Sequence, residues 1–148
     1  MKRFQFQLQP VLDFKLQRMD ALLVELDMLQ GKVMAREYAR NKAYQTLADY
    51  DAEYAEKKAT GISVLEAMQY QTGQQVLQQR AKREDEALLR ARREEEKKRD
   101  EVVEARKETH SLEKLKDMRR KEYDFALAKE EEKSLDDLTA ARRAAAAV

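Results

Sequence analysis

The side chains able to act on a substrate are few in kind and poorly grouped. His110 is the only histidine and there is no cysteine, which excludes a His-pair metal site and a thiolate centre. Acidic residues are plentiful, but they recur along helix-forming runs, where neighbouring carboxylates are the ordinary surface of a solvated helix. A phosphate loop needs clustered glycines, and Gly31, Gly61 and Gly73 stand far apart. Lys97-Lys98-Arg99 would suit a nucleic-acid backbone, yet it directly follows Glu94-Glu95-Glu96, and 30 basic residues balance 29 acidic ones. A nucleic-acid binder carries a basic stripe, and a leucine-zipper factor a clean basic region feeding unbroken heptads; neither is here. No catalytic constellation, cofactor site or metal site can be assembled, so a non-enzymatic protein is expected. The chemistry left is recognition by aromatic, aliphatic and arginine side chains.

Those side chains must be positioned by helices. Charged residues make up 40% of the 148, aromatic residues 7%, and Pro10 is the only proline. Such a composition reads as long helix or coiled coil. From Pro10 to Lys58, Leu12, Met19, Leu26, Val33, Leu47 and Tyr54 recur at sevenfold spacing, with Arg40 alone breaking the row. Three residues after each comes Lys15, Leu22, Leu29, Arg36, Ala43, Tyr50 or Lys57. This paired row is a narrow seam that asks for a partner helix. Ala59-Thr60-Gly61-Ile62-Ser63 is the one convincing break: Gly61 suits a helix C-cap, and Ser63 with Glu66 a capping box. A break so short turns the chain back on itself, making the second helix the partner of the first.

The expected fold is therefore all-α: a single coiled-coil domain over 1–148, built as an antiparallel two-stranded hairpin. Helix one covers about 10–58, the turn 59–63, and helix two about 64–143. Helix one would be roughly 70 Å long at ~1.5 Å per residue. With the turn centred near residue 61, partner numbers add to about 122, so that Leu12 meets His110, Leu26 meets Glu96 and Tyr54 meets Met68. Val64, Leu65, Met68, Tyr70, Val76 and Leu77 should pack near the turn. From Arg80 to Glu122, 29 of 43 residues are charged, and Leu88, Leu89, Val102, Val103, Leu112, Leu115 and Met118 are the available knobs. Beyond about Leu112, helix two would overhang unless Phe4, Phe6 and Leu8 cover its root. Those three alternate with polar residues, which fits either an extended arm or a first helical turn. Phe4 and Phe6 either fold back on the helix or anchor a partner. With no run of 18 apolar residues and no signal-peptide core, a soluble cytosolic protein without membrane insertion is expected.

Both ends of the chain carry a family resemblance. Phe4-x-Phe6-x-Leu8-x-x-Val11-Leu12 resembles the opening of the FliJ family, soluble coiled-coil proteins of the bacterial flagellar type III export apparatus. The end is similar to the same family in Leu112-Glu113-Lys114-Leu115, Arg120-Lys121-Glu122-Tyr123, Glu132 to Leu138, and Arg142; Asp136-Asp137 stands where the family has aspartate-glutamate. The resemblance implies a hairpin like the rotor coiled coil of the F-type ATP synthase γ subunit. It implies insertion of the free-ends pole into the hexameric export ATPase FliI, contact with the cytoplasmic domain of the export gate FlhA, and dealings with export chaperones. The location implied is cytoplasmic, peripheral to the inner-membrane export apparatus.

For the ATPase pole, the matching residues are Phe4, Phe6, Arg18, Arg119, Arg120 and Tyr123. For the gate, they are Leu47, Tyr50 and Tyr54 on helix one with Tyr70 and Leu77 on helix two; the same tyrosines would also serve to fill the seam. Two other readings compete with the flagellar stalk. One is the equivalent stalk of a virulence secretion system. The other is a scaffold or chaperone that dimerises through the seam.

Overall fold

A computed structural model of the protein describes residues 2–147, and it is an all-α antiparallel hairpin of two long helices. α1 spans Gln9–Thr60 and α2 spans Val64–Ala146. α1 opens with Pro10 in its first turn, where the missing N–H leaves no hydrogen bond unmade. It ends at Thr60, two residues beyond Lys58, and Gly61 follows with a φ of 94°, a left-handed conformation open to glycine. The Gly61 N–H donates to the Lys57 carbonyl at 3.0 Å, and the Thr60 hydroxyl donates back to Glu56 and Lys57 carbonyls. Ser63 caps α2, its Oγ accepting the Glu66 N–H at 3.1 Å. The alanine run after Arg143 carries α2 to Ala146, three residues beyond the expected end, because alanine has the highest helix propensity.

The chain divides into two compact units, Ala21–Val102 and Met1–Asp20 with Val103–Val148. In Ala21–Val102, α1 buries Leu22, Val33, Ala43 and Tyr54 and half-buries Leu26, Leu29, Leu47 and Tyr50. These are the two sevenfold rows read from the sequence; their basic members Arg36 and Lys57 stay in solvent. α2 answers with two rows of its own, Ala67-Gln74-Ala81-Leu88-Glu95-Val102 and Tyr70-Leu77-Glu84-Ala91-Lys98, all buried or half-buried. Val33, Leu88 and Ala91 form the buried cluster at the middle. Ala81 and Ala91 are the most enclosed side chains, at 1% and 2% exposure, so much of the charged stretch packs through small residues.

Three expectations change here. Leu89, outside both rows, is exposed, and alanines take the place of the larger knobs expected. Val64, Leu65, Met68 and Val76 also fall between the rows and are exposed; only Tyr70 and Leu77 of the expected set turn inward. The register also shifts. Cross-helix ion pairs Lys98–Glu25, Lys32–Glu94, Arg40–Asp85 and Arg92–Glu37, at 2.8–3.2 Å, join residues whose numbers add to between 123 and 129. The turn is therefore centred nearer Ile62 than Gly61, and Tyr54 meets Tyr70, not Met68.

In the unit formed by both ends, Leu12 and Thr109 are buried at 3% exposure each and Lys15 pairs with Glu108 at 2.8 Å. Thr109 takes the inward place expected of His110, which is exposed. Val103 and Met118 point outward for the same reason as Leu89. The residues before α1 are an extended arm, closed by a turn in which the Gln9 N–H donates to the Phe6 carbonyl at 3.0 Å.

Candidate functional site: two interaction surfaces

The extended arm holds its place through α2. The Tyr123 hydroxyl donates to the Lys2 carbonyl at 2.7 Å, satisfying a backbone acceptor that no helix or sheet would reach. The Phe4 ring meets that of Tyr123 at 5.6 Å between centroids, tilted by 53°, and the Arg120 guanidinium lies 5.1 Å above Phe4. A groove of about 340 Å³ runs beneath the arm, lined by Phe4, Phe6, Leu8, Leu115 and Arg119 among others. Phe4 and Phe6 are half-buried, so of the two readings of the arm the structure adopts the one in which they fold back on the helix.

Five of the six residues picked for the ATPase pole are thus neighbours: Phe4, Phe6, Arg119, Arg120 and Tyr123. Arg18 stands exposed on α1 and takes no part in the contacts of the arm. The two arginines are tempered by their own helix, Arg119 pairing with Glu122 at 3.3 Å and Arg120 with Asp124 at 3.4 Å. Beyond them three large apolar side chains lie uncovered among charged ones. Ala126 and Leu127 are half-buried, then every residue from 128 to 147 is exposed. Phe125, Leu135 and Leu138 are 65%, 64% and 52% exposed, with the Lys129 ammonium 4.9 Å from the Phe125 ring. The expected overhang exists, but it starts after Leu127 because the arm covers the root.

The second surface lies in Ala21–Val102. Tyr54 stacks on Tyr70 at 5.0 Å and 11°, and Tyr50 leans on Tyr70 at 5.4 Å and 50°. Tyr54 is 5% exposed, whereas Tyr50, Tyr70, Leu47 and Leu77 keep part of their surface in solvent. Tyr70 donates its hydroxyl to Glu53 at 3.2 Å; burial, then that carboxylate, pushes its pKa up, so the phenol stays protonated. Gly73 sits directly under the Tyr50 hydroxyl, where any Cβ would collide with it. The structure thus brings the three tyrosines of the gate set together, leaves Leu47 and Leu77 half-buried, and uses Tyr54 chiefly as packing.

A third cluster, absent from the sequence reading, also lies in Ala21–Val102. Arg40 Nε donates to Asp85 Oδ1 at 2.9 Å, and the Tyr44 hydroxyl donates to Asp85 Oδ2. The guanidinium also lies 4.4 Å from the Tyr44 ring centroid. Tyr44 first, then Arg40, hold the Asp85 carboxyl below its ordinary pKa; the same carboxylate raises those of Arg40 and Tyr44. The signal was present in the one interruption of the apolar row, since a cation at a seam position needs an acid across from it. Such a polar contact among apolar layers helps to fix the register of the two helices.

Among the described residues, no group of three or more histidine, cysteine, aspartate or glutamate side chains could hold a metal ion. No helix among them is long and apolar enough to cross a membrane.

Compared with known families, the chain matches the flagellar FliJ protein over residues 4–147. Neither the curated proteins nor the solved structures contain a match to the chain. The family match takes in both helices, the arm and the uncovered end of α2, and the chain belongs to the flagellar FliJ family, a non-enzymatic component of flagellar protein export.

Proposed function

We propose that the protein is the stalk of the flagellar export ATPase, coupling the FliI hexamer to the cytoplasmic domain of the FlhA gate without chemistry of its own. The observation that carries this reading is the uncovered end of α2: Phe125, Leu135 and Leu138 are presented to solvent next to an arm that is itself clamped down. Exposed apolar surface on a helix is the usual mark of a groove-seeking partner. In this reading α2 beyond Leu127 enters the ring, and Phe4, Phe6, Arg119, Arg120 and Tyr123 set the pole from which it projects. Arg18 is a peripheral contributor of charge. The half-exposed edges of Leu47, Tyr50, Tyr70 and Leu77 face the gate, with Tyr54 holding them in place. The protein works in the cytoplasm, peripheral to the inner-membrane apparatus, and meets export chaperones there. The flagellar family match supports this reading over a virulence-system stalk.

The test is an ATPase assay of the cognate hexamer. Wild-type protein should stimulate turnover or stabilise the ring; Leu135→Glu with Leu138→Glu should lose that effect while keeping wild-type helicity. Full stimulation by the double variant would remove the uncovered end from the mechanism. For the gate, Tyr50→Ala should weaken FlhA binding with ATPase stimulation retained; loss of both together with helicity would make Tyr50 a packing residue only.

A further inference from the structure

α1 turns a second apolar face outward, away from the seam. Val24, Met28, Met34 and Tyr38 are 62–70% exposed, although each is large enough to be worth burying. Gly31 lies at their centre, and nothing comes within 4 Å of the place a Cβ would occupy, so no packing within this chain calls for glycine there. The face reads the same in both directions. Val24 and Tyr38 lie seven residues either side of Gly31, and Met28 and Met34 three either side. Further out, Asp20 and Lys42 are also equidistant from it, and neither has an ion-pair partner among the described residues.

We propose that this face is a self-association surface, on which two copies pair antiparallel about a two-fold axis through Gly31. An interface between identical copies must be self-complementary, each residue i meeting j while j meets i. The arrangement here meets that condition: Met28 packs on Met34 of the second copy, Val24 on Tyr38, and glycine crosses glycine, where the missing side chains let the backbones approach closely. Charge selects the direction. Antiparallel pairing sets Asp20 against Lys42 of the second copy twice over, whereas parallel pairing would oppose like charges. Methionines suit a contact that forms and dissolves, because their flexible side chains repack at little cost. The face is small, so the dimer is weak and concentration-dependent. It shares no residue with the two surfaces above, and the proposal stands independently of the stalk reading.

Sedimentation of the full chain across a concentration series should show the mass rising from 17.4 kDa toward twice that value. Met28→Glu should hold it at 17.4 kDa with unchanged helicity. Lys42→Asp should weaken association, and adding Asp20→Lys should restore it. With no native cysteine, oxidation of Met28→Cys mixed with Met34→Cys should give the mixed disulfide faster than either variant links to itself. A strictly monomeric chain overturns the proposal, as does faster self-linking of Met28→Cys, which signals parallel pairing. Protection of this face only by another export protein, with the chain monomeric, also overturns it in favour of a different occupant.

Discussion

Glycine at position 73 is a packing requirement rather than a flexible joint. A methyl group there would meet the Tyr50 hydroxyl and ring, which Tyr70 holds from the other side. Gly73→Ala should cost about 1–3 kcal/mol through overpacking, read from the urea midpoint. In a Tyr50→Ala background the same change should stabilise by up to about 1 kcal/mol, since only the helix-propensity gain remains. Asp85 gives a pH-dependent counterpart. Its pKa is held below the ordinary 3.8 by Tyr44 and Arg40, so its contribution is present above that value and is lost as pH falls through the lowered one. The stability difference between wild type and Asp85→Asn should be largest near neutrality and should shrink below about pH 4 by that linkage. A difference constant down to acid pH would mean that the carboxylate charge contributes nothing. Glu84 is a third case: its Oε2 is buried without a hydrogen-bond partner in the seam. Glu84→Leu should raise stability by roughly 1–2 kcal/mol, because an unmade hydrogen bond costs more than an apolar replacement. A fall in the thermal midpoint would show that the carboxylate is satisfied in solution.

At the scale of elements, the turn rests on two positions. Gly61→Ala forces a side chain into the left-handed region and should cost roughly 1–2 kcal/mol. Ser63→Ala removes the cap of α2 and should cost about 1 kcal/mol. Chemical denaturation of both variants and the double mutant checks these values, and the local character of each predicts no loss of helicity below the transition. These two residues were legible in advance because caps are set by local backbone needs. The rows of α1 were legible for a related reason: large apolar side chains rarely keep sevenfold spacing unless a helical seam buries them. The rows of α2 were harder to see. Ala67, Ala81 and Thr109 also keep multiples of sevenfold spacing, with Ala91 in the second row, but alanine is equally a surface residue of charged helices, so its periodicity carries little contrast. Arg40 announced that something polar lay opposite it without naming Asp85, since several acids on α2 fell within one turn of the expected register. The clamped arm was one of two open readings, because Phe4 and Phe6 reveal their apolarity but not whether Tyr123 or a partner satisfies it.

For the molecule as a whole, stability and activity are expected to separate. Residues 134–147 are all exposed, so a chain shortened after Lys133 should keep its denaturation midpoint and helicity per residue. It should bind the export ATPase more weakly, as titration calorimetry against the hexamer would read. A large drop in the midpoint would instead make this segment part of the folded structure. The stacked tyrosines beside the turn bear on how that structure forms. Tyr54 and Tyr70 are close in sequence, and closing a short loop costs less chain entropy than bringing distant segments together. The turn and its tyrosines are therefore the cheapest place for the two helices to meet first, with pairing then spreading outward through neighbours already in register. Helix pairing can thus begin during synthesis, as soon as residues 50–74 have left the ribosome, before the acidic and basic half of α2 exists to offer a wrong register.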